Sequence, residues 1–567
     1  MDLSTVDESL QRLSAHKDRW ARLPIKDRIA YLTQVRDLLV TNADAWVQAG
    51  VQMKGLDPQA AIVGGEEWLG GPYPTAAWLT EMIATLTRLE SGADPLDGVR
   101  ISTRPDGQVV AGVFPSNAYD RLLLNGYELE VWMQPEVTPT TLRDHVASFY
   151  RRKDPQGAVT LVLGAGNVAA IPILDALYCL YADGHVVALK MNPVNEAYGP
   201  VFERILSPLI RDGYLSIVYG GADVGQHLTD SDLVDDVHIT GSERTFETIV
   251  YGPGALGRKA KDDGEPRWHK PIRSELGGAS PTIVVPGPWT AADIAYQAQH
   301  LATQKLFSAG HTCVASQVLI LPDGWEHKDE LLDALRSAMA AAPDRHPFYP
   351  GTQDRQAAFR AANPSAEAIP GPQDRTLLVD VDPHSDHPAF HEEMFGPIYV
   401  TTALDGADPA HFLSEAVRFA NERLHGNLGA NIIIHPQTAK ELGPRLDQAI
   451  ADLKYGCIGV NVWSAFAFLS PRAAWGAYPG NTPQDIQSGT GVVHNALLFN
   501  SSQKSVVRAP FRPFHRSLRH PLHGLTVKPP WFLDNRTARA TARAFTMFAA
   551  NPTPTRLPGI FLPAVRG

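Results

Sequence analysis

Between residues 6 and 50, apolar residues recur at helical spacing (Leu10, Leu13, Trp20, Leu23, Ile29, Leu32, Val35, Leu38, Leu39 and Trp46) among Lys, Arg and Asp. This spacing predicts amphipathic helices that pack one face on a larger body. From about 97 to 115 the period shortens to two, in Val99-Arg-Ile-Ser-Thr and then Gln108-Val-Val-Ala-Gly-Val-Phe-Pro115, which predicts strands. Residues 118–157 are charged and aromatic, punctuated by Pro135, Pro139 and Pro155, and read as an excursion from the body. Ala158–Leu163 and His185–Lys190 read as buried strands flanking a glycine turn and a helical stretch, so the segment reads as a βαβ unit. A helix (Tyr198 to Arg211), a strand (Leu215 to Tyr219) and a strand entering a helix at Ser242 follow. Residues 252–270 read as a polar, Gly/Pro-rich surface loop. Beyond Pro281 the strand-and-helix pattern restarts, which implies a second α/β domain, and from 501 a Pro- and Arg-rich extension holds one helical stretch, Asn535 to Phe548.

At 567 residues, 44% apolar and 20% charged, the chain has room for two or three domains. A net charge of −11 argues against nucleic acid and anionic membrane surfaces as partners. The charge is uneven: residues 501–567 carry eleven Lys and Arg against the single acid Asp534, which leaves −21 for the rest. A basic tail on an acidic body is expected to dock, on its own body or on a neighbour. Three cysteines far apart (Cys179, Cys313 and Cys457) make no disulfide framework, so a reducing, cytoplasmic setting is expected. The acidic N-terminus lacks the apolar core of a signal peptide, and Asn167, Pro172, Asp175, Asp183 and His185 interrupt the most apolar run, so no membrane span is expected.

The chemistry centres on Ser308-Ala-Gly-His-Thr-Cys313-Val-Ala-Ser-Gln317, where one cysteine stands among small residues. Alone, Cys313 would read as a small buried hydrophobe. Its company is Ser274-Glu275-Leu-Gly-Gly-Ala-Ser-Pro281 upstream and Glu392-Glu-Met-Phe-Gly-Pro397 downstream. These three phrases, in that order, resemble the aldehyde dehydrogenase superfamily over roughly residues 5 to 495. The resemblance implies an α/β fold, with a Rossmann-like cofactor domain, a second α/β catalytic domain and an oligomerisation arm. Gly164-x-Gly166-x-x-Ala169 fits a dinucleotide turn, but the second strand ends in Lys190 where an ordinary site has an acid. In the family that turn carries an oxyanion-binding Asn about 23 residues before a Lys that meets the adenosine ribose. Asn167 to Lys190 is 23 residues and Asn117 to Lys190 is 73, which assigns Asn167 and leaves Asn117 as a turn residue.

On the same resemblance Cys313 is the nucleophile, Glu275 the base that activates water, Gly241 and Ser242 the cofactor phosphate site, and Glu393 with Phe395 the nicotinamide end. Ser242 reads equally as a helix N-cap. The implied reaction is NAD- or NADP-dependent oxidation of an aldehyde to an acid through a cysteine thiohemiacetal and thioester. Alternatives on the same fold are an acylating reductase of acyl thioesters or acyl phosphates, or a catalytically idle member. The chain departs from the family in His311 two positions before the thiol, in Gly166 before the Asn, and in having no acid after Lys190, which leaves NAD against NADP open. His227, His238, His269, His300 and His311 show no metal-ligand spacing, so no metal is expected. The aromatic Trp463-Ser-Ala-Phe-Ala-Phe468 hints at an apolar or aromatic aldehyde. The expected division is 1–278 for the cofactor domain (118–157 a candidate arm, 252–270 an insertion), 279–470 for the thiol domain, 471–500 returning to the cofactor domain, and 501–567 as the extension. A homodimer or homotetramer is expected, with the arm adding a strand to a neighbour and the extension crossing onto a partner.

Overall fold

The computed structural model describes residues 3–58, 60–371, 375–406, 408–512 and 528–567. Val159–Leu163 and Val186–Lys190 lack polar alternation because both their faces are covered; they pair in parallel with Val159 opposite Val186. Around them, among the described residues, a six-stranded sheet runs in the order Gly489–Thr490, Ile272–Leu276, Asp236–Gly241, Val159–Leu163, Val186–Lys190, Leu215–Val218. The helix Ala170–Tyr178 makes the first crossover. The N-terminal helices Leu3–Ala21 and Ile25–Met53 bury Leu10, Leu13, Trp20, Leu32, Val35, Leu39 and Trp46 against this half, while Leu23, Ile29 and Leu38 are half-buried.

A second sheet has eleven described strands. Its parallel core is Cys457–Val460, Gly429–Ile433, Pro281–Val284, Val318–Pro322, Ile398–Leu404 and Arg375–Leu378, with Glu367–Ile369 antiparallel at one edge. The other edge continues through Ser502–Arg508, Glu128–Met133, Val109–Phe114 and Arg100–Thr103.

Several expectations are corrected here. The strands at 100–133 belong to the thiol half, so the sheet does not divide at 278. Glu128–Met133 does not stand out as an arm: it is hydrogen-bonded on both sides within its own chain, because Leu129, Val131, Trp132 and Met133 are all buried and need cover on both faces. Residues 252–270 contain the helix Gly254–Asp263, with Pro253 before it and Gly264 (φ 71°) closing it, so the punctuation read as a loop marks helix ends.

Of the extension, residues 513–527 lie outside the described residues. The remainder packs on its own chain. Its helix Ala538–Ala550 lies against Ala61–Leu69 and Pro72–Glu90. The approach is close enough that a Cβ on Gly65 would come within 2.6 Å of the Ala538 Cβ. Arg543 pairs with Asp44 at 2.9 Å, and Arg539 donates to the Pro58 carbonyl. No helix among the described residues is long and apolar enough to cross a membrane.

Candidate active site

The carboxyl ends of the parallel strands in the smaller sheet face the thiol half across a cavity of about 670 Å³. Lys190 and Gly241 end their strands, Asn167 follows Val159–Leu163, and Glu275 stands near the end of Ile272–Leu276. Such strand ends are where open α/β sheets present ligands. The cavity wall contains Asn167, Lys190, Gly241, Ser242, Glu275, Cys313, Glu393 and Phe395, so every residue singled out from the sequence is in one place. Asn117 is elsewhere, accepting from the Tyr119 and Asp120 amides as N-cap of Ala118–Leu123. Ser242 is the N-cap of Glu243–Tyr251 and also lines the cavity.

The Cys313 loop leaves the helix Ala291–Leu306 through three consecutive left-handed residues, Ser308 (φ 52°), Ala309 (φ 57°) and Gly310 (φ 78°). The two non-glycine positions each cost about 1–2 kcal/mol. A Cβ at Gly310 would lie 2.5 Å from the Gly396 carbonyl oxygen, so only glycine fits. The loop is held from outside by Glu66, whose carboxylate accepts from the Ser308 amide and pairs with Arg345 at 2.9 Å in the interior.

Burial pushes the Cys313 thiol well up, with the nearby Glu275 and Glu393 charges adding to it. The Asn167 side chain donates one N–H to the His311 carbonyl at 3.1 Å, which fixes the amide and leaves its second N–H for another acceptor. The His311 ring is fully buried, with Nε2 on Thr352 Oγ1 at 2.9 Å and rings of Phe348, Tyr349 and Phe395 around it. Burial, with the charges of Arg355, Lys54 and Lys305, pushes its pKa down to about 3, so it is a neutral spacer beside the loop.

Glu275 is 4% exposed, and its Oε1 has no hydrogen-bond partner among the described residues. Burial raises its pKa well above the usual carboxylate range, and the Asp175 charge raises it further. Asp175, His238 and Glu275 bring one donor atom each within 4.8 Å of one another, a buried group that sequence spacing did not reveal. Asp175 also lies 3.2 Å from His494 Nε2, 3.4 Å from His238 Nε2, and accepts from Thr240 Oγ1 at 2.8 Å. Burial opposes its charge, but His238 and His494 outweigh that and hold it low. One signal was available: Asp175 interrupts the most apolar run of the chain, and a charge there has to be paired.

Burial lifts Glu393 to about 8 although Lys305, Arg355 and His425 oppose it, and lowers Lys305 to about 7. A Cβ on Gly277 would occupy the place of the Glu393 carboxylate, which accounts for a glycine there. Arg355 donates to the Phe395 carbonyl at 3.1 Å and fixes that turn. Burial lowers Lys190, with Glu196 and Asp223 opposing.

Beyond the thiol lies a second, smaller cavity of about 60 Å³, lined mainly by apolar and aromatic side chains; Cys313 and Ile171 are in the walls of both.

The family model described as the aldehyde dehydrogenase family matches residues 119–354. Over that segment the chain is similar to the aldehyde dehydrogenases. Its relatives include aldehyde dehydrogenase family 3 member B3 of Mus musculus, 25% identical over 62% of this chain and 71% of that protein. Family 3 member B1 of Homo sapiens is 27% identical over 52% of this chain, and the match spans only 60% of that relative's length. N-succinylglutamate 5-semialdehyde dehydrogenase 1 of Caulobacter vibrioides is 30% identical over 42% of this chain and 51% of its own. Among solved structures, the NAD-dependent aldehyde dehydrogenase from Sinorhizobium meliloti superposes with a TM-score of 0.57 at 18% identity, covering 91% of this chain and 88% of that one. The Mycobacterium tuberculosis aldehyde dehydrogenase complexed with NAD+ gives 0.58 at 19%, covering 89% and 90%. Both likenesses are of fold. The family match ends before Glu393 and Phe395.

Proposed function

We propose that this chain is an aldehyde dehydrogenase that oxidises an apolar aldehyde to the carboxylic acid with NAD or NADP. The observation that carries the reading is the meeting of Cys313, Asn167 and Glu275 in the cavity whose far wall carries Lys190, Gly241 and Ser242.

The residues present fit a dinucleotide. A cavity of about 670 Å³ is of cofactor size. Gly225, on the helix Ala222–Asp230, lines it with nothing within 4 Å of where a Cβ would be, so the wall is bare there for a flat group. Lys190 and the amino end of Glu243–Tyr251, with Ser242, would hold its ribose and phosphates. A bound nicotinamide would supply the hydride acceptor.

The chain's own residues do the rest. The carbonyl of an aldehyde is a poor hydride donor until a nucleophile makes it tetrahedral. The Cys313 thiol gives its proton to Glu275, whose raised pKa suits it to receive one, and the sulfur bonds to the carbonyl carbon. The oxyanion takes the free N–H of Asn167 and the Cys313 amide; one such donor is worth roughly 10²–10³ in rate. Loss of hydride leaves a thioester on Cys313. Glu275, its proton passed on to solvent, uses the unpaired Oε1 to draw a proton from water, the water oxygen bonds to the acyl carbon, and the thiolate leaves. A base inside the cavity favours hydrolysis over transfer of the acyl group to coenzyme A. Assembly as a homodimer or homotetramer completes the reading, and mass by light scattering decides it.

The test is formation of reduced nicotinamide by the purified chain from short aldehydes, with Cys313→Ser alongside. Turnover without added coenzyme A that vanishes in the variant supports the proposal. Turnover only with coenzyme A, or equal in the variant, refutes it.

A further inference from the structure

The smaller cavity beside the thiol is lined by one residue of the C-terminal extension, Trp531. It faces a lining that includes Leu69, Val168, Trp463, Phe466 and Phe468. The indole is 7% exposed and is set edge-on against Phe466 (5.9 Å between ring centres, 65°) and Tyr127 (6.3 Å, 84°).

Its backbone is tied down on both sides. Before it, Lys528 donates to Gln299 Oε1 at 2.8 Å. After it, the Leu533 amide donates to Thr303 Oγ1 at 3.2 Å, and the Phe532 ring stacks on His300 at 5.5 Å and 17°. Gln299, His300 and Thr303 all lie on the helix Ala291–Leu306, the helix that leads into the Cys313 loop. The indole and the thiol are thus referred to one rigid element, which is how a pocket wall holds its dimensions.

We propose that the extension is part of the substrate site: Trp531 walls the apolar cavity beside Cys313 and limits the chain to aldehydes with short apolar tails. The proposal rests on the aldehyde-oxidising reading of Cys313. At about 60 Å³ the cavity is well under half of the roughly 150 Å³ that admits benzene in an engineered protein cavity. It has room for about two carbons beyond the carbonyl, taking about 30 Å³ as the share of a water-sized group. Removing the indole joins its volume to the cavity and makes room for a ring. One methylene more or less in such a pocket changes kcat/KM by roughly 10–200-fold.

The experiment compares the full chain with Trp531→Ala and Trp531→Phe, using propanal and benzaldehyde with a nicotinamide cofactor. A second readout needs neither cofactor nor turnover: the rates of Cys313 alkylation by iodoacetamide and by its bulkier N-benzyl analogue. The expected result for Trp531→Ala is a rise of about 10-fold or more in the benzaldehyde-to-propanal ratio of kcat/KM, with an unchanged cofactor KM. The benzyl-to-parent alkylation ratio is expected to rise likewise, and Trp531→Phe gives smaller changes of the same sign. A thermal melt checks folding, and if the alanine variant does not fold, the phenylalanine variant carries the test. Unchanged ratios in a folded variant overturn the proposal. A shifted alkylation ratio with no turnover of either aldehyde by any form keeps the wall and sinks the aldehyde reading.

Discussion

At the scale of single residues, the site is governed by desolvation. Cys313, Glu275 and Glu393 all have their charged forms disfavoured by burial, so no thiolate stands ready and the thiol has to lose its proton as it reacts. Glu275 then sets the lower limb of the pH profile, because it works as a base only when deprotonated. The groups near it include Cys313, Cys457, Trp475, Asp175 and His238. The Asp175 charge raises Glu275, so neutralising it in Asp175→Asn lowers that pKa and moves the acid limb of kcat to lower pH. A pH–rate profile of a variant with native circular dichroism checks this, and a limb that stays put or moves up contradicts it. The place of Asn167 in the cavity was legible because the interval between Asn167 and Lys190 separates it from Asn117, which caps a helix elsewhere. The Asp175 cluster was not, since it joins a helix, a strand and a C-terminal loop that no local spacing relates.

At the scale of elements, the short helix Ala61–Leu69 links the thiol loop to the body. Glu66 and Glu67 on it are buried, paired with Arg345 at 2.9 Å and Lys54 at 2.7 Å. A buried pair stripped of one member leaves an uncompensated charge, which costs about 3–5 kcal/mol. Glu66→Ala is therefore expected to lose that much in chemical denaturation and to slow Cys313 chemistry, since the Ser308 amide loses its acceptor as well. A loss under about 1 kcal/mol would show that the pair is not what holds the loop. Strand and helix identities followed from period and apolar runs, as in Val159–Leu163 and Val186–Lys190. Misreadings fell where the same residues serve two purposes: Pro253 and Gly264 bound a helix as readily as they punctuate a loop.

At the scale of the whole molecule, the charge asymmetry indicated that the basic tail would dock but not on which body. What decides it is packing: Phe532, Leu533, Ala538 and Ala542 are buried against their own chain, and Arg543 meets Asp44. The strand Ser502–Arg508 is likewise internal, with Lys504 reaching the carbonyls of Ile450, Ala451 and Leu453 at the end of the helix Pro444–Asp452. Long-range pairing of this kind brings residues 128–133, 457–460 and 502–508 into one sheet, and no local sequence pattern records it. The same long-range assembly places Asn167, Glu275 and Cys313 around one cavity, and the account stands on that constellation carrying a covalent acyl group. The direct measurement is intact-protein mass of Glu275→Gln after incubation with propanal and NAD or NADP, followed by peptide mapping. The account predicts an acyl adduct on Cys313 that forms slowly, because the thiol must lose its proton to solvent in place of Glu275, and that persists, because hydrolysis has lost its base. No adduct, or one at any other residue, in a folded variant that binds cofactor would contradict it.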